Sequence, residues 1–293
     1  MSSPHLSRRL FLGAGLLAVT GCSTIDLSTE RNGGNLLDRL RASGQVRMGF
    51  ANEAPYGYID RDGELTGEAP EVGKAVFRRL GVERFVPALS DFGSLIPGLR
   101  AGLFDVIAAG MFITPARCEQ ILFSDPDYNA PEALLVRSED GAPRTLEDFA
   151  RQDQARLGVL LGSVEVDIAA GYGIPAERVV TFASQAGGID GVLADRADGL
   201  LLTAISLRDA LSRRPGVALE LTEPFVPVVG GVPRYGAGGF GFRPDQHDLR
   251  DAFNRELTEL KASGELLKIV QPFGFTESEM TDLTAERLCR PGS

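Results

Sequence analysis

Apolar positions along this chain recur with two periods, two and about 3.6, which take turns in short blocks. Gln45–Ala51 is a short β-rich run that predicts a strand. Pro70–Leu80 then carries Val72, Ala75, Val76, Phe77 and Leu80 at helical spacing and stops at Gly81, a residue suited to the left-handed cap that ends a helix. Arg84–Ala88 predicts a strand, Gly93–Ala101 a short helix and Val106–Ala109 another strand. A second set follows Gly141: helix Leu146–Arg151, strand Leu157–Leu161, helix Val164–Ala170, strand Val179–Phe182, helix Gly188–Asp195, strand Gly199–Leu202, helix Ile205–Arg213 and strand Val217–Leu221. A proline- and glycine-rich passage, Pro224 to Gly241, interrupts the pattern before helices Asp248–Ala262 and Leu266–Val270.

Strands alternating with helices build a parallel or mixed sheet, so the class is α/β. The 293 residues suit two cores of roughly 100–150 residues each. The last helices lie beyond the second set and return to the first lobe. The chain therefore crosses twice, near Leu134–Arg137 and Gly236–Phe242, and a paired crossing makes a hinge. The expected division is residues 44–134 with 238–293 for one lobe and 135–237 for the other. Gly236-Ala-Gly-Gly-Phe-Gly241 fits a dinucleotide-binding glycine motif, but Pro224, Pro227 and Pro233 precede it, Pro244 follows, and no helix opens within it. It reads instead as a strand whose backbone packs tightly against its neighbours.

The first residues carry an address. Arg8-Arg9-Leu10-Phe11-Leu12 opens an apolar stretch to Val19, about the length of a signal-peptide core and too short to span a membrane. The paired arginines resemble a twin-arginine export signal, and also occur in general secretory signals. Val19-Thr-Gly-Cys22 resembles the bacterial lipobox, so residues 1–21 are expected to be removed and Cys22 to carry a lipid that anchors the protein at the outer face of the cell membrane. Residues 22–43 are then expected to be a flexible, lipid-anchored linker. Cys118 and Cys289 remain as an even pair in an oxidising compartment and are expected to bond, the alternative being two separately buried thiols.

The formal charge is −10, and no Lys/Arg run is present to displace counterions from a phosphate backbone, which excludes nucleic acid as a partner. The two histidines, His5 and His247, sit in the export segment and at a predicted helix start, and no His, Cys and carboxylate cluster has metal-ligand spacing. No metal site, cofactor or catalytic constellation is therefore expected. Chemistry gathers instead in the segments that follow strands: Glu53 and Tyr56 after the first, Phe92 after the second, Phe112 and Arg117 after the third. Carboxyl ends of strands are where open α/β sheets bind ligands.

The run from Phe92 to Arg117, followed by Phe123-Ser-Asp-Pro126, resembles the polar amino acid receptors of ABC importers. With Gly67-Glu-Ala-Pro-Glu71 and Ser263-Gly-Glu265 the likeness covers nearly the whole chain after the export segment. It implies the two-lobe, type II periplasmic-binding-protein fold, a monomer that closes around a solute, and a permease as partner. Arg117 would grip the ligand's carboxylate in a bidentate pair, and Ser163 would add a hydroxyl from the second lobe. Within the family, Ala51-Asn-Glu-Ala-Pro-Tyr56, Phe92, Phe112, Arg117-Cys118 and the ending Pro272-Phe-Gly-Phe275 with Leu288-Cys289 resemble the ectoine and hydroxyectoine receptors. Amino acid receptors usually hold the α-ammonium with an aspartate where this chain has Thr203. The resemblance thus implies a zwitterion with a delocalised ring cation, enclosed by Tyr56, Phe92 and Phe112 through cation–π contacts of ~0.5–2 kcal/mol each, with Glu53 accepting the ring N–H bonds. Two other readings stay open: a polar amino acid receptor, and an enzyme on the same fold resembling cyclohexadienyl dehydratase. A tethered sensor module is a third.

Overall fold

The computed structural model of the chain describes residues 35–139 and 141–290. The expected export segment and Cys22 lie outside the described residues. In chain order the strands of the two larger sheets are β1 (Gln45–Phe50), β2 (Arg84–Leu89), β3 (Val106–Phe112), β4 (Leu122–Phe123), β5 (Tyr128–Ala130), β6 (Glu132–Arg137), β7 (Leu157–Leu160), β8 (Val179–Phe182), β9 (Gly199–Thr203), β10 (Leu219–Leu221) and β11 (Gly236–Phe242). The first sheet runs β2-β1-β3-β11-β4, with β5 also on β11; the second runs β8-β7-β9-β6-β10. Within each, the β1–β2, β1–β3, β7–β8 and β7–β9 pairs are parallel, and the strands near the crossing are antiparallel.

Helices cover both faces of each sheet, as parallel strands require. On the first sheet, α1 (Leu36–Ser43), α2 (Glu68–Arg79), α9 (His247–Ala262) and α10 (Glu265–Val270) bury one face around Phe77, Phe240 and Phe253. Leu249, Phe253, Leu257 and Leu260 recur along α9 at the spacing of one helical stripe. The opposite face is covered by α3 (Leu95–Arg100) and α11 (Ala285–Leu288). The second sheet lies between α5 (Leu146–Arg151) with α6 (Glu165–Gly171) on one side and α7 (Gln185–Leu193) with α8 (Ala204–Ser212) on the other. A further helix, α4 (Pro115–Cys118), follows β3 directly.

Three elements differ from the sequence reading. Residues 36–43, expected within the flexible linker, form α1: Asn35 caps it by accepting from the Asp38 N–H at 3.0 Å, Gly44 closes it at φ 68°, and Leu36, Leu37 and Leu40 are buried. Each leucine so buried contributes about 1.5–3 kcal/mol, enough to dock a short helix that would not hold alone. Leu134–Arg137 and Gly236–Phe242 are not the crossings but lie inside β6 and β11, and the return crossing falls between Phe225, which bridges Glu132, and Gly236, which pairs with Ala130. The chain passes between sheets at Pro131, between Ala130, which pairs with Gly236 of β11, and Glu132, which pairs with Thr203 of β9. Last, β3 runs on through Gly110 to Phe112, because β11 pairs along it to that residue. The glycines of β11 make room for rings: a Cβ at Gly236 would stand 2.1 Å from the Phe112 ring and one at Gly238 2.2 Å from Tyr128.

Cys118, at the end of α4, is joined by a disulfide to Cys289, just beyond α11, with Cα atoms 5.7 Å apart.

Candidate functional site

Glu53, Tyr56, Phe92, Phe112, Arg117, Ser163 and Thr203 all line one cavity between the sheets. Each is delivered by its element. Glu53 and Tyr56 lie in the turn after β1, closed by paired bonds between the backbones of Glu53 and Gly57 at 2.9 and 3.0 Å. Phe92 opens a single 3₁₀ turn ahead of α3, Phe112 ends β3, and Arg117 stands on α4, whose cap Thr114 accepts from the Arg117 N–H. Ser163 follows β7, and Thr203 is the last residue of β9.

The lobes meet directly across this cavity. Tyr56 donates from its hydroxyl to Thr203 Oγ1 at 2.9 Å, and Ser206 donates to Glu53 Oε1 at 2.7 Å. Gln185 Nε2 donates to the Ala54 carbonyl at 2.8 Å and to Ser206 Oγ at 2.7 Å, tying the same turn to α7 and α8. Arg117 donates to the carbonyls of Phe112 (2.7 Å) and Gly162 (3.0 Å), and its guanidinium lies 5.5 Å from the Phe92 ring centre. A Cβ at Gly162 would stand 2.7 Å from the Cα of Gly93. In this closed arrangement the cavity measures about 30 Å³, space for one or two waters. On the hinge side, beyond Phe112 and Val164, a second and mostly apolar cavity of about 560 Å³ is bordered by Val229, Val232 and Tyr235.

The electrostatics are unbalanced. Arg117 is 8 % exposed and forms no ion pair with a carboxylate within 4 Å among the described residues. Burial pulls its pKa below the ordinary arginine value, against the attraction of Glu165 and Asp167, yet a guanidinium keeps its charge. Burial pushes the Glu53 carboxyl up to about 7; the Ser206 hydrogen bond opposes this and the charge of Glu165 adds to it. Two acids the sequence reading did not single out complete the set. Glu165 heads α6 and lines the cavity, while Glu132 heads β6 and borders the second, apolar cavity behind it; they are 4 % and 2 % exposed. Their carboxyls face one another as a hydrogen-bonded pair, and burial raises both, Glu132 the further because Glu165 and Glu53 also repel its charge. The Ser163 hydroxyl is buried without a well-formed hydrogen bond and lies close enough to Glu165 to offset part of its rise. Gln185 and Ser206 also escaped the sequence reading. All four sit at or inside the first turns of elements, where a polar residue looks like a cap or a solvated face until the opposite lobe is in place.

The cavity thus combines one unpaired guanidinium, three rings and a surplus of carboxyls, an equipment for holding a small charged molecule. The family model for bacterial extracellular solute-binding proteins, family 3, matches residues 46–276. The chain belongs to this family. As a solute-binding protein of the type II fold, it serves outside the cytoplasm and works with the permease of an ABC importer, as members do. It is 33 % identical to a probable amino-acid ABC transporter periplasmic-binding protein of Sinorhizobium fredii (strain NBRC 101917 / NGR234), over 98 % of this chain and 97 % of that one. It is 30 % identical to the lysine/arginine/ornithine-binding periplasmic protein of Escherichia coli (strain K12), over 78 % of this chain and 86 % of that one. Among solved structures, EhuB in complex with hydroxyectoine superposes with a TM-score of 0.80 at 34 % identity, covering 87 % of this chain and 98 % of that one. No helix of the described residues is long and apolar enough to cross a membrane.

Proposed function

We propose that this solute-binding protein captures ectoine or hydroxyectoine by closing its lobes, and that it does so as a lipoprotein anchored through Cys22. The observation that carries the ligand reading is at Thr203. Where an acid would meet a free α-ammonium, the side chain is a neutral hydroxyl already bonded to Tyr56 at 2.9 Å. The cationic end of the ligand is left to Glu53 and the faces of Tyr56, Phe92 and Phe112, which suits a delocalised ring cation better than a compact ammonium. Arg117 holds the carboxylate at the other end. The ligand loads when the lobes part about the two crossings, and Ser163, Thr203 and Ser206 then close over it. The likeness to EhuB supports this reading.

The surplus carboxyls favour a second reading, a receptor for a cationic amino acid, on the same fold as the lysine/arginine/ornithine-binding relative. Calorimetric titration of the purified protein with ectoine, hydroxyectoine, glycine betaine, arginine and glutamine separates them. Saturable binding of ectoine or hydroxyectoine at least tenfold tighter than of arginine is expected, and the reverse order would install the second reading. Arg117→Ala should weaken ectoine binding by at least ~1.5 kcal/mol, the lower range for losing a charge-assisted hydrogen bond; an unchanged affinity removes Arg117 from the site.

A further inference from the structure

The proposed reading, on which this inference rests, sets the ligand's cation against Glu53. It does not account for the bonds that tie the Glu53 turn to two helices of the other lobe. Ser206, in the first turn of α8, is fully buried, and Gln185, which opens α7, is 9 % exposed; both stand outside the residues that line the cavity. Gln185 Nε2 lies 2.8 Å from the Ala54 carbonyl oxygen, 3.1 Å from the Ser206 carbonyl oxygen and 2.7 Å from Ser206 Oγ. Two of these partners are carbonyls, which only accept, so the amide turns its NH2 group towards them and Ser206 Oγ receives an N–H. The single proton of Ser206 is then free to donate, and it goes to Glu53 Oε1 at 2.7 Å.

The other groups around Glu53 do not favour its charge. Glu165 at the head of α6 and Glu132 at the head of β6 both repel it, and the Tyr56 hydroxyl beside it is engaged with Thr203. Burial opposes the charge as well, whereas the Ser206 bond supports it. We propose that Gln185 and Ser206 are positioning residues for ligand binding: on closure the Gln185 amide orients the Ser206 hydroxyl onto Glu53, and the carboxylate so held presents its other oxygen to the ligand's cation. The bonds run from one lobe to the other, so they are made when the lobes close and broken when they part. Their gain therefore falls on the bound, closed form, and a hydrogen bond to a charged group is about twice as strong as a neutral one.

The test is calorimetric titration with ectoine and hydroxyectoine at pH 8, where Glu53 is mostly charged, and at pH 5.5, where it is mostly protonated. Ser206→Ala should weaken binding about tenfold or more at pH 8 and less than about threefold at pH 5.5. Gln185→Ala should act in the same sense, because the released Ser206 hydroxyl turns to a neighbouring backbone carbonyl instead. In a Ser206→Ala background its effect should no longer depend on pH. A role confined to packing would weaken binding equally at both pH values; that result overturns the proposal and leaves the ectoine reading in place. So does a Gln185→Ala loss that grows with pH as strongly in the Ser206→Ala background as without it. Failure of the wild type to bind either compound overturns that reading and this inference with it. Should Gln185→Ala not fold, as judged by its melting curve, Gln185→Met keeps the length of the side chain without its N–H donors and takes its place under the same criteria.

Discussion

Glu53 is the residue on which pH acts. Its carboxyl sits at about 7 because closure removes it from water and Glu165 lies nearby, while one hydrogen bond from Ser206 only partly compensates. The charged form is the one that attracts a cation, so lowering the pH through 7 protonates Glu53 and removes the attraction. Affinity for the ring cation should therefore fall as pH drops from 8 to 6, approaching tenfold per unit below about 7, and Glu53→Gln should flatten the profile; calorimetry at constant ionic strength reads both. The sign for folding is the opposite. An acid whose pKa is raised on folding contributes fully below its ordinary value of 4.5 and less as pH climbs towards 7. At this scale Glu53, Tyr56, Phe92, Phe112 and Arg117 were legible in the sequence because each ends or follows a strand. Glu165, Ser206 and Gln185 were not, since nothing in their local pattern separates an acid, serine or amide in a helix's first turn from a surface one.

At the scale of elements, α4 is the weak piece. Four residues make a helix with a single turn, and it carries Arg117. The Cys118–Cys289 disulfide, spanning 171 residues of sequence, ties it to α11 and thereby to the core under β3. Replacing both cysteines by serine is expected to cost about 2–4 kcal/mol, or roughly 5–15 °C in Tm. Ligand affinity should fall as well, because α4 is released together with its arginine. Calorimetric melting of the wild type with and without reductant, beside the double variant, reads the first effect, and a melt that does not move would show the bond to be mechanically idle. Some elements shifted from their expected bounds for tertiary reasons. The α7 helix begins at Gln185, ahead of the expected Gly188, because Ser184 caps it by accepting from the Gly187 N–H and Gln185 is held by the opposite lobe. The α1 helix exists because the first core offers its leucines a surface.

For the whole molecule, closure is decided by how closely two backbones approach. Gly93 on one lobe and Gly162 on the other touch without side chains, and Gly162 holds φ 78°, a conformation that suits glycine. Gly162→Ala would drive a methyl to within 2.7 Å of the Gly93 Cα in the closed form alone. Ligand affinity is expected to fall at least tenfold, while the fold bears only the ~1–2 kcal/mol of a left-handed alanine. Small-angle scattering should show the variant failing to compact when ligand is added; compaction equal to the wild type would mean that these glycines do not gate closure.

The sequence by itself determined the α/β class, the two-lobe plan, the tight return strand from Gly236 and the strand-end residues of the first lobe. All of these follow from local periodicity and from what must follow a strand in such a sheet. Only the tertiary structure decided which distant residues meet. Tyr56 finds Thr203 across 147 positions and Glu53 finds Ser206 across 153, both through the hinge that turns at Pro131. It also decided the chemistry of the carboxyls. The rise of Glu53, Glu132 and Glu165 is caused by exclusion of water when the lobes come together, and no stretch of chain carries that information alone.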